Sequence, residues 1–208
     1  MSIELHAFDT PNGRKISVAL EEMGLPYTVK VIDIRNQGQF TPEFLAISPN
    51  NKIPAIVDHD GPDGQPISVF ESGAILLYLG EKTGMFLPSD LRARVPVLEW
   101  LMFQMGGFGP MPGQVHYFAG LENPQEQRFA LERYMQETRR LYGVMERRLA
   151  DREYFADQLS VADFAILGWA WRHERHKVDL ADFPNVQRWY RMMMARPAVQ
   201  RGFEVKLS

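Results

Sequence analysis

"SPNNKIPAIVD", residues 48–58, sets a polar, proline-bearing turn directly against a short run that reads as strand. Proline cannot donate a ladder hydrogen bond, so it is rare inside central strands; at a strand's first position it fixes a turn, sometimes through a cis bond. Ala55 to His59 therefore reads as a strand opened by Pro54. "DGPDGQ" then supplies turn residues for a hairpin to a second strand, Ile67 to Phe70. Ser72 is expected to cap a helix running from Gly73 to about Thr83. Its apolar face is Ile75, Leu76 and Leu79, and Gly84 ends it.

Upstream, Ile3 to Phe8 reads as a strand, and Thr10-Pro11 as a helix start with threonine as N-cap and proline at the first helical position. Ile16, Ala19, Leu20 and Met23 follow at i, i+3, i+4 and i+7, an amphipathic stripe that Gly24 closes. Tyr27 to Ile34 is the next strand, and Thr41-Pro42-Glu43 opens a short helix to about Ala46. The order β-α-β-α-β-β-α predicts a small mixed sheet, parallel where a helix crosses over and antiparallel at the late hairpin.

After "FLPSD" the period changes to that of helices. Over 124–149, Tyr134, Thr138, Leu141, Met145 and Leu149 share one face beneath a charged surface. "SVAD" at 160–163 reads as a capping box of Ser160 and Asp163, opening an apolar helix from Phe164 to about Trp171. A further helix starts after Pro184 and stops before Pro197. "GGFGPMPG", residues 106–113, is the one kinked interruption. The expected domains are 1–86, mixed α/β, and 90–208, all helical.

Composition removes several classes of function. The net charge is −3 with no basic run, which gives no case for nucleic acid. No apolar stretch reaches the roughly 20 residues of a membrane helix, and "MSIELHAFDT" has no leader pattern, so a soluble, cytoplasmic protein is expected. The chain has no cysteine, hence no disulfide, thiolate metal site or cysteine nucleophile. Its five histidines lack ligand spacing, and the close pair His173 and His176 is expected on a helix among charges, so no metal is expected.

The whole chain resembles the glutathione transferase superfamily. "NKIPAIVD" is similar to its cis-proline loop, "FESGAILLYL" to its glutamate–serine segment and "SVADF" to the capping box of its helical domain. "TPNGRK", "GQFTPEFLAISPNNKIPAIVD" and "FESGAILLYLGEKTG" resemble more narrowly the bacterial Nu-class enzymes with glutathione-dependent disulfide-bond oxidoreductase activity. The resemblance implies a thioredoxin-like βαβαββα domain followed by an all-helical domain.

It also implies a site. A cis Ile53–Pro54 bond would leave the backbone of Ile53 free to pair with an extended peptide ligand. Ser72 and the amides of its helix suit a carboxylate, and Glu71 an ammonium, such as the γ-glutamyl end of glutathione carries. Thr10 and Asn12 take the family's place for the group that contacts the glutathione sulfur; Thr10 as a mere N-cap is the alternative. Gln39 matches a Nu-class contact, Lys52 is in reach of a terminal carboxylate, and Arg133 matches an arginine supplied by the helical domain; each can equally be a solvated surface group. Glutathione or its disulfide is the implied cosubstrate, with a small disulfide or electrophile as partner substrate and a homodimer as the assembly. Reduction of disulfides by bound glutathione is the first reading. Conjugation to electrophiles, in a pocket expected to be lined by Phe108, Tyr117 and Trp171, and non-catalytic regulatory binding of glutathione are the alternatives.

Overall fold

The computed structural model describes residues 2–208, leaving aside the side chains of residues 124 and 125. The chain divides into two compact units: residues up to Leu87 joined by Ala195–Ser208, and Pro88–Met194.

In the first unit, strands β1 (Ile3–Ala7), β2 (Tyr27–Val31), β3 (Ala55–Asp58) and β4 (Ile67–Phe70) form one sheet in the order β2-β1-β3-β4. β1 is parallel to β2 and antiparallel to β3, which is antiparallel to β4. β2 ends at Val31, short of the expected Ile34, because Asp33 accepts from the Arg35 amide and winds 34–36 into a 3-10 turn. Helices α1 (Pro11–Glu22), α2 (Pro42–Leu45) and α3 (Ser72–Thr83) follow β1, β2 and β4. Both threonine–proline starts work as read: Thr10 accepts from the Gly13 amide and Thr41 from the Phe44 amide. Ile3, Leu5 and Ala7 of β1, Ile56 of β3, Ile16 and Leu20 of α1, and Ile75, Leu76 and Leu79 of α3 are all buried, and this apolar set is the unit's core.

Helix α1 is buried on nearly every side because residues 195–208 return to cover it. The Arg14 guanidinium donates to the carbonyls of Gly202 (3.1 Å) and Val205 (2.8 Å), and the Ser17 hydroxyl donates to Gly202 (2.8 Å). These are late carbonyls of the helix Pro197–Glu204 and its cap, where a cation also meets the negative end of the helix dipole. A Cβ on Gly202 would stand 2.7 Å from the Cα of Val18, so only glycine allows this approach. Arg196 adds a two-pronged ion pair with Glu22 at 2.6 and 2.8 Å.

The second unit is helical, apart from one isolated bridge among the described residues. After the three helices above, its elements are α4 (Leu91–Phe103), α5 (Pro110–Ala119), α6 (Arg128–Arg148), α7 (Val161–Ala170) and α8 (Pro184–Met194), while Pro197–Glu204 of the first unit is α9. Every residue of α7 is buried, as an all-round apolar helix requires. Its start is the expected Ser160–Asp163 capping box, but Asp163 does more than cap. Its carboxylate accepts from the Ser160 amide (3.0 Å) and hydroxyl (3.1 Å), the Phe155 amide (3.3 Å) and the Trp189 indole (3.0 Å). Burial pushes this carboxyl up to about 6, and the donors pull the other way.

Three expectations change here. The long helix begins at Arg128 rather than 124, after a 3-10 turn. The kinked interruption at 106–113 takes the form of a π-helical turn, Gln104–Phe108, that runs into α5. Phe108 is wholly buried, edge-on to Tyr142 at 5.0 Å between ring centres, so it lines no open pocket. Residues 171–177 are turns rather than a helix, and His176 is buried with its Nδ1 2.9 Å from the Tyr142 hydroxyl.

Candidate functional site

The sheet register gathers the expected site segments. His6 pairs with Ala55 and Ala55 with Phe70, while Ala7 pairs with Val31. The chain therefore leaves the same rim four times: after β1 towards Thr10, after β2 towards Gln39, before β3 at Ile53-Pro54, and after β4 at Glu71-Ser72. Adjacent strands are about 4.8 Å apart, so these departures are neighbours. Helices α1 and α3 both start here, which turns their free amides towards one rim, as in open α/β sheets that bind ligands outside strand ends.

At the start of α1 the Thr10 hydroxyl is engaged on both sides. It accepts from the Gly13 amide at 3.2 Å and donates to the Phe8 carbonyl over a long 3.4 Å. Gly13 has no alternative: a Cβ would lie 2.4 Å from the Phe8 carbonyl oxygen. That contact holds the first turn of α1 tight against the end of β1. Thr10 and Asn12 are both half-buried.

The segment 48–54 is braced from within. The buried Ser48 hydroxyl donates to the Lys52 carbonyl at 2.8 Å, and Asn51 takes a positive φ of 48°. The Ile53–Pro54 bond is cis. Sheet pairing begins only at Ala55, which leaves the Ile53 backbone outside the ladder. The Lys52 side chain is exposed. Gln39, in the 3-10 turn Gly38–Phe40, has a buried side-chain oxygen with no hydrogen-bond partner among the described residues. A buried acceptor left without a donor is costly, and a ligand N–H is one way to satisfy it.

Ser72 is not the N-cap. The helix begins at Ser72 itself, and Glu71 occupies the cap position without a side-chain cap bond. Glu71 stands at φ 70°, ψ 116°, a backbone region that costs a non-glycine residue about 1–3 kcal/mol and clusters at functional sites. Its carboxylate accepts from the Asn50 side chain at 3.3 Å, which ties it to the 48–54 segment. The buried Ser72 hydroxyl accepts from Lys15 Nζ at 3.1 Å. Lys15 and Asn50 were not anticipated. Asn50 lay in the polar turn quoted first, whereas nothing in the local sequence marks Lys15, since lysine is rarely buried.

Arg133 lies exposed on α6, in the second unit. It lines a cleft of about 650 Å³ there with Met111, Tyr134, Gln136, Glu137 and Arg140. Arg140 is paired with Glu137 at 2.7 Å.

Residues 10–82 match the family described as "Glutathione S-transferase, N-terminal domain", and residues 110–197 match "Glutathione S-transferase, C-terminal domain". The chain is 50% identical over 198 residues to the disulfide-bond oxidoreductase YfcG of Escherichia coli, covering 94% of this chain and 92% of that protein. A glutathione transferase from Burkholderia graminis, solved with two glutathione molecules per subunit, superposes with a TM-score of 0.92 at 45% identity, covering 98% of this chain and 88% of that one. One from Pseudomonas putida, solved with one glutathione disulfide per subunit, gives 0.91 at 44% identity, covering 98% and 91%. The chain belongs to the glutathione S-transferase family.

Proposed function

We propose that the protein reduces small disulfides with glutathione, the sulfur chemistry being carried by the ligand rather than by the chain. The observation that carries this reading is a cysteine-free protein whose α1 amides and Thr10 hydroxyl stand at the same rim as the Ile53 backbone and Glu71-Ser72. The relatives support it: one is named a disulfide-bond oxidoreductase, one binds two glutathiones and one binds glutathione disulfide.

In this reading Ser72 and the α3 amides hold the γ-glutamyl carboxylate, and Glu71 holds its ammonium. The Ile53 backbone pairs with the cysteinyl residue, while Gln39 and Lys52 serve the rest of the peptide. Thr10 and Asn12 donate to the sulfur. A thiol at a helix N-terminus ionises more readily, because free amides and the dipole favour the thiolate. The Thr10 hydroxyl gives up only a long bond to Phe8 when it turns to that sulfur. The thiolate attacks one sulfur of the substrate disulfide; that S–S bond breaks, and the departing thiolate takes a proton. A second glutathione thiolate then attacks the mixed disulfide, giving glutathione disulfide and the second product thiol. Arg133, a homodimer and a cytoplasmic setting complete the proposal; Arg133 would neutralise the carboxylates of a second peptide.

The test is turnover of 2-hydroxyethyl disulfide with glutathione, coupled to glutathione reductase, beside conjugation of 1-chloro-2,4-dinitrobenzene. Rapid disulfide turnover with weak conjugation is expected. Strong conjugation without disulfide turnover overturns the reading in favour of an ordinary transferase, and glutathione binding without either reaction favours a regulatory binder.

A further inference from the structure

Lys15 has no place in the roles above, yet it is among the most unusual residues of the chain. It sits in the second turn of α1 and is 1% exposed. A buried ammonium carries a heavy desolvation penalty, so a lysine in such a position needs a specific electrostatic reason. Its Nζ lies 3.1 Å from the Ser72 hydroxyl, and the Glu71 carboxylate supplies the nearby negative charge. Ser72 in turn does not cap its helix, since the cap position is Glu71.

An ammonium can only donate. While Lys15 donates to Ser72, that oxygen accepts, and its own proton is turned away from Lys15. We infer that Lys15 is a positioning residue for the γ-glutamyl end of glutathione: from beneath the site it orients the Ser72 hydroxyl as a donor to the ligand carboxylate and supplies the buried positive charge behind it. The inference rests on the reading of Ser72 given under the proposed function. Burial lowers Lys15 to about 7, against the pull of Glu71, and a second carboxylate at Ser72 favours the protonated, donating form. Lys15 touches no reacting atom in this scheme, so its effect falls on binding rather than on chemistry.

The test is a cycle of Lys15→Met, Ser72→Ala and the double variant, read by calorimetric binding of glutathione and of cysteinylglycine, which lacks the γ-glutamyl group. Lys15→Met is expected to weaken glutathione about tenfold to a hundredfold, the span of one charge-assisted hydrogen bond. Cysteinylglycine affinity and kcat at saturating glutathione should stay near wild type. In the Ser72→Ala background the Lys15→Met effect should largely vanish, which a purely structural role would not produce. Lys15→Gln, which keeps a donor, should retain part of the affinity and replaces Lys15→Met if that variant does not fold. A folded Lys15 variant with wild-type glutathione affinity, or equal losses for both peptides, overturns the inference. If Ser72→Ala still weakens glutathione in that case, the site reading stands without Lys15; if it does not, both fall.

Discussion

Replacing Thr10 with alanine removes one oxygen that has two tasks in the proposed scheme, and the two have different sizes. The first is visible: the hydroxyl accepts from the Gly13 amide at 3.2 Å. Losing an N-cap costs about 1 kcal/mol, which lowers Tm by roughly 2–4 °C for a protein of this length. The second is the donation to the glutathione sulfur. A hydrogen bond to a charged group contributes about 1.5–3 kcal/mol, so its loss should lower kcat/KM for disulfide turnover roughly tenfold to 150-fold. The bound thiol should also ionise at higher pH, moving the acid limb of the pH–rate profile upward. Thr10→Ser keeps the oxygen and should restore both properties. The coupled disulfide assay across pH and a thermal melt read the two effects separately. A Thr10→Ala protein with the expected fall in Tm, but kcat/KM within about twofold of wild type and an unmoved profile, reduces Thr10 to a cap and refutes the reasoning.

Asp163→Ala should strand the buried amides of Ser160 and Phe155 and the Trp189 indole N–H, at about 1–3 kcal/mol each, which approaches the whole stability of an ordinary domain. Urea unfolding should show a sharply lowered midpoint, and a loss under about 1 kcal/mol would contradict this account of the carboxylate. Gly202→Ala should destabilise by about 1–3 kcal/mol, because its Cβ meets Val18 backbone that cannot swing aside. An unchanged denaturant midpoint would show that α9 shifts freely. Lys15, lowered by burial to about 7, binds a proton less readily in the folded chain than in the unfolded one. Unfolding free energy should therefore rise with pH between about 7 and 10.5, by up to about 1.4 kcal/mol per pH unit, and level off at its lower value below about 7, where both states hold the proton. Lys15→Met should flatten that slope, and a wild-type protein without it would deny the buried titration.

Elements governed by neighbouring residues were legible in the sequence. The threonine–proline starts of α1 and α2, the apolar stripe of α1 and the Ser160–Asp163 box depend on contacts within one turn, and the chain forms them as read. The site segments were legible for a related reason, since each follows or precedes a strand whose pairing carries it to one rim. What escaped depends on distant parts. Ser72 looks like an N-cap by local preference, but Glu71 enters the left-handed region and the helix starts one residue early. Lys15 and Arg14 look like surface cations in sequence; one is satisfied 57 residues away at Ser72, the other 188 residues away at Gly202. The Asp163 carboxylate, read as one half of a box, also gathers Phe155 and Trp189.

The return of α9 to α1 bears on the order in which the molecule can be made. Arg14, Ser17 and Val18 emerge early in synthesis, but the carbonyls and the glycine they require lie about 185 residues later, beyond the entire helical unit. The first unit is therefore interrupted in time as well as in sequence, and α1 stays uncovered while residues 88–194 are added. A nascent chain arrested after Met194 should keep α1 sensitive to protease, and protection should arrive only once Gly202 and Val205 have left the ribosome.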